Sequence, residues 1–64
     1  MNVLFMYFTA DGNPDHAALR INGKKVPDTD LWELWDMYQL LMALGAHPIK
    51  TTTPTGYILH MIQY

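Results

Sequence analysis

A chain of 64 residues sits near the lower limit at which a domain folds alone, and without cysteine it has no disulfide or thiolate metal site to staple it. Half of its residues are apolar and 12% are aromatic, which excludes a disordered segment, while no apolar run approaches the roughly 20 residues that cross a bilayer. Four cations against six acids give a formal net charge of −2, which excludes a strongly basic nucleic-acid-binding class.

Residues 2–9 (NVLFMYFT) form a continuous run of strand formers, closed by the turn-like Asp11-Gly12-Asn13-Pro14. Both sides of this strand are apolar: Val3, Phe5 and Tyr7 on one, Leu4, Met6 and Phe8 on the other. A strand with one wet face alternates with polar residues, so this one reads as central in its sheet. The run has neither a basic leader nor a small-residue cleavage site, so it is not read as a signal peptide. A single soluble, cytoplasmic domain over residues 1–64, with no membrane partner, is the expectation.

Asn22-Gly23 is the strongest local signal, because both central positions of a type I′ hairpin turn need positive φ. Residues 17–21 and 24–26 then pair as a hairpin, with Ile21 opposite Lys24, Arg20 opposite Lys25 and Leu19 opposite Val26. Leu19 and Val26 share one face and Arg20 and Lys25 the other, at an edge or rim of the sheet. The cations Arg20, Lys24 and Lys25 are the candidate nucleic-acid contact, although cations on an edge hairpin serve equally to deter aggregation.

The spacing predicts a helix over residues 30–44. Thr29 or Asp30 can cap it, Glu33 completes a capping box with Asp30, Gly45 supplies the C′ position and Pro48 blocks continuation. Residues 46–53 and 56–64 read as two further strands joined around Thr53-Pro54-Thr55-Gly56. The last again has two apolar faces, Tyr57, Leu59 and Met61 against Ile58, Ile62 and Tyr64. The predicted fold is α+β: a small antiparallel sheet of four or five strands, in the chain order β-β-β-α-β-β, with one helix packed on one face.

Such a chain has more apolar surface than one core consumes. At about 100° per residue, Leu31, Leu34, Trp35, Tyr38, Leu41, Met42 and Gly45 fall on one helix face. The opposite face carries Glu33 and Asp36, but also Met37, Leu40, Ala43 and Leu44, with Trp32 at its flank. One helix covers one side of a sheet, so the second side and the outer helix face call for another cover, either a second copy of the chain in a homodimer or another protein. All six acids lie from Asp11 to Asp36, and Lys50 is the only formal charge in residues 37–64. That composition suits an interface core.

The motifs that carry chemistry are weak. Asp11, Asn13 and Asp15 imitate the start of a calcium loop, but His16 stands where the glycine should be and Asn22 where the bidentate glutamate should be. His16, His47 and His60 lack metal-ligand spacing, and Asp30, Glu33 and Asp36 read as caps and a solvated stripe. A His60 half-buried at an interface would make association pH-sensitive. No catalytic residue, cofactor or metal site is assigned, and a non-enzymatic role is expected.

The leading expectation is a protein-binding module that inhibits or modulates a larger protein by occluding its surface, in the manner of small proteins of phages and mobile elements. Its partner-binding residues are Trp32, Glu33, Asp36, Met37, Leu40 and Leu44. The alternative is a homodimeric scaffold that contacts nucleic acid through the basic hairpin.

Overall fold

The computed structural model describes all 64 residues, Met1–Tyr64. Five strands, β1 (Asn2–Phe8), β2 (Pro14–Ile21), β3 (Lys24–Lys25), β4 (Ile49–Thr52) and β5 (Ile58–Gln63), form one antiparallel sheet in the order β3-β2-β1-β5-β4. The single helix, α1 (Leu31–Ala43), lies between β3 and β4 along the chain, giving an α+β fold.

The strand that is apolar on both sides is the central one. Leu4, Met6 and Phe8 of β1 are buried under α1 with Leu19 of β2 and Ile62 of β5, and Leu34 and Tyr38 close the cluster from the helix. Alternation sends Val3, Phe5 and Tyr7 to the side that α1 does not cover. The chain termini meet in the sheet, where Asn2 and Tyr64 exchange both backbone hydrogen bonds at 3.1 and 2.9 Å.

The β2–β3 hairpin has the predicted register, Arg20 opposite Lys25 and Ile21 opposite Lys24, and the Val26 amide extends it by donating to the Leu19 carbonyl at 2.8 Å. Asn22 (φ 52°) and Gly23 (φ 79°) both take the positive φ that the turn demands. Between β1 and β2 the register shifts after Tyr7↔His16 to Phe8↔Pro14, which leaves Asp15 as the extra residue of a bulge. β2 consequently starts at Pro14, three residues before the predicted hairpin arm. The last two strands are shorter than predicted, because the 53–57 connection takes its own bonds: Thr53 N–H donates to the Tyr57 carbonyl at 2.8 Å and Tyr57 N–H to Thr53 Oγ1 at 3.1 Å.

Gly45 ends the helix as predicted. Its amide donates to the Met42 carbonyl at 3.1 Å and the Ala46 amide to the Leu41 carbonyl at 2.9 Å, the paired bonds of a Schellman motif around φ 96°. At the other end the capping box does not form. Asp30 holds the N-cap position in extended conformation, but its side chain makes no cap hydrogen bond. The first turn is closed by backbone alone, with the Leu34 amide donating to the Asp30 carbonyl at 3.1 Å.

Candidate functional site

Two surfaces stand out, one on each layer. On the outer side of α1, Trp32 is 59% exposed, Leu40 60% and Leu44 76%. With Asp36 they recur every four residues, which winds them into one stripe along the helix. Glu33 is exposed beside them, so five of the six predicted partner-binding residues share a solvent-facing helix surface. Met37 does not stand with them. It is partly buried against the core, and its sulfur accepts a 3.7 Å hydrogen bond from the Tyr64 hydroxyl. The wheel placed Met37 outside because it treats the helix alone, whereas the C-terminal residue of the chain reaches up to that flank. Met42, read as core, is 38% exposed, because it lies a full turn beyond Tyr38, the last buried helix position.

The second surface is the side of the sheet away from α1. Register and alternation place Val3, Phe5 and Tyr7 at its centre, Leu59 and Met61 beside them on β5, Ala18 on β2 and Ile49 on the β4 edge. At one end the rings of Tyr7 and His16 stack with centroids 4.1 Å apart, and Tyr57 meets His16 edge-on at 5.0 Å. Asp15 Oδ2 lies 2.8 Å from His16 Nδ1 at the bulge. At the other end Arg20 and Lys25 stand opposite one another, with Arg20 Nη1 donating to the Gly23 carbonyl at 2.8 Å. Lys24 pairs with Ile21 and points to the other side, so the candidate nucleic-acid trio is split between two faces. Sequence reading identified this face as apolar but did not assign a site to it; the signal was the double-sided apolar pattern of the first and last strands.

Between the layers, Phe8, Trp35, Tyr38 and His60 form an aromatic cluster, with Trp35 and Tyr38 stacked at 5.5 Å and Phe8 and His60 tilted at 47° with centroids 4.5 Å apart. The Tyr38 hydroxyl and His60 Nδ1 are 2.8 Å apart. Burial, and then the charge of Lys50, hold His60 below the usual histidine value, so the neutral ring is favoured. In the tautomer that carries its proton on Nε2, the ring accepts at Nδ1 from the hydroxyl; in the other, Nδ1–H donates to the hydroxyl oxygen. Burial also raises Tyr38 above the usual tyrosine value, which keeps the hydroxyl protonated.

A groove of about 320 Å³ runs between β2, β3 and the 26–29 connection, lined by Ala17, Lys25, Val26, Pro27, Asp28 and Thr29. Lys25 and Asp28 are its only ionisable groups. No three histidine, aspartate or glutamate side chains converge into a set that could hold a metal ion. Asp11, at the head of the calcium-like stretch, instead accepts hydrogen bonds from the Thr9 hydroxyl and the Asn13 amide group, which fixes the turn. No helix is long and apolar enough to cross a membrane. Compared with family models, with curated proteins and with solved structures, the chain matches none.

Proposed function

We propose that the chain is a non-enzymatic protein-binding module that docks the outer face of α1 on a larger partner and inhibits or modulates it by occlusion. The observation that carries this reading is the stripe of Trp32, Leu40 and Leu44, more than half exposed on one helix with Glu33 and Asp36 alongside. An amphipathic helix surface of this kind fits a groove with an apolar floor and a basic rim. Trp is also the residue type most enriched among side chains that dominate binding energy.

The test is affinity capture with the wild-type chain, Trp32→Ala and Leu40→Glu in parallel. A partner held by the wild type and lost by both variants supports the reading. A captured set identical for all three proteins removes the helix face from the site.

A second reading, nucleic-acid contact through the hairpin, draws on the cross-strand pair of Arg20 and Lys25. It requires binding to oligonucleotides that falls steeply with salt and is lost in Arg20→Glu.

A further inference from the structure

We propose that the side of the sheet opposite α1 is a self-association surface, covered face to face by a second copy of this chain. This inference is independent of the helix-face reading.

The first argument is the composition of the face. Its centre is Val3, Phe5, Leu59 and Met61, on the central strand β1 and its neighbour β5. Only seven of the folded monomer's 64 residues are buried, and every one belongs to the cluster under α1. A chain this short and free of disulfides gains most from a second apolar layer.

Size is the second argument. The sheet has five strands. At about 4.8 Å between strands and about 3.3 Å per residue, strands of 7, 8, 2, 4 and 6 residues give a face of roughly 430 Å². Two copies then remove roughly 860 Å² from water as flat sheets, and the relief of the side chains brings the pair to the roughly 1,000 Å² at which specific interfaces begin.

Charge selects a copy of the same face over other occupants. The exposed cations here, Arg20 and Lys25, are confined to the β2–β3 edge, while the opposite edge presents Ile49, 60% exposed, and Thr51. A two-fold axis lying between the sheets and parallel to the strands places each β3 edge over the β4 edge of the copy. The cations of the two chains stay apart, and their aliphatic stems meet Ile49. Apolar centre packs on apolar centre and the polar groups fall at the rim. A nucleic acid covering this face would want cations across all of it, whereas Arg20 and Lys25 stand at one edge. Sheet-on-sheet packing about 10 Å apart leaves both copies of α1 on the outside, so the pair displays two helix faces pointing in opposite directions.

The experiment is sedimentation equilibrium of the wild type, Met61→Lys and Leu40→Lys, with circular dichroism to check the fold. The expected result is twice the 7.4 kDa chain mass for the wild type and Leu40→Lys, and the single-chain mass for a folded Met61→Lys. A wild-type monomer at all concentrations, a dimeric Met61→Lys, or a monomeric Leu40→Lys would each overturn the proposal. If Met61→Lys does not fold, the wild-type chain alone decides the matter by methyl NMR across a dilution series. Val3, Leu59 and Met61 shifting on dilution while Leu40 and Leu44 stay fixed supports the sheet interface. The reverse pattern, or no shift across a range in which the sedimentation mass falls to a single chain, overturns it.

Discussion

The Tyr38 hydroxyl stands 2.8 Å from Nδ1 of His60, joining the middle of α1 to the middle of β5. This link matters because α1 itself lies over β1 and β2, and only side chains carry its packing across to the other half of the sheet. Tyr38 is buried and its ring also packs edge-on to Phe8, so the phenol does two jobs in one place. Tyr38→Phe keeps the ring and removes the bond. It is expected to cost about 1 kcal/mol, the usual net worth of one hydrogen bond. Urea unfolding measures it, and an unchanged midpoint would show that water replaces the hydroxyl at no loss.

His60 gives the stability a pH dependence with a definite sign. Its native-state value lies below 6.5, through burial first and then through Lys50, which sits opposite it in the β4–β5 register. The unfolded chain therefore takes up this proton at higher pH than the native chain does. The contribution is fully present above pH 6.5 and is lost as pH falls through the native-state value. The wild-type melting temperature is expected to fall between about pH 7.5 and about pH 5.5, before most carboxylates titrate. His60→Gln should flatten that slope, and a slope that survives the substitution would assign it to other groups.

Most of the fold was legible because its punctuation is local. Asn22-Gly23 forced the hairpin register and Gly45 forced the helix end, each through a φ that few other residues adopt. The double-sided apolar pattern of β1 put that strand at the centre of the sheet. What the sequence could not carry was tertiary. The capping box failed although both its residues are present: the Asp30 carboxylate makes no cap hydrogen bond, and the first turn keeps only its ordinary backbone bond from the Leu34 amide to the Asp30 carbonyl. Met37 was drawn inward by Tyr64, a contact between residues 27 positions apart that no helix wheel contains. Candidate surfaces suffered the same way: the outer helix stripe is periodic and readable, whereas the face shared by Val3, Leu59 and Ile49 exists only once the strand order is known.

The turn makes a direct prediction. Gly23 sits at φ 79°, and a Cβ built there meets nothing within 4 Å, so the cost of a side chain is backbone strain and not a clash. Gly23→Ala should destabilise the chain by about 1–2 kcal/mol, the penalty of the left-handed region for an L-residue. Gly23→Asn should recover part of that loss, because asparagine tolerates positive φ. Thermal melts of the two variants compare them, and equal losses would mean that the turn responds to side-chain bulk and not to backbone conformation.

Two residues less than one helical turn apart separate fold from function. Leu34 is 4% exposed and packs into the only buried cluster, while Trp32 is 59% exposed on the outer stripe. Leu34→Ala is expected to cost about 2–5 kcal/mol, from lost transfer free energy and an unfilled cavity. For a chain this small that is a large part of its total stability, and the variant should be substantially unfolded by circular dichroism at room temperature. Trp32→Ala removes a larger side chain from the same helix, yet its effect on stability should stay within about 0.5 kcal/mol because water already surrounds most of the ring. If the outer face of α1 is the docking surface, that variant is a folded protein that has lost its partner. A Trp32→Ala chain that melts as low as Leu34→Ala would mean that the indole supports the fold, and any loss of binding in it would say nothing about the interface.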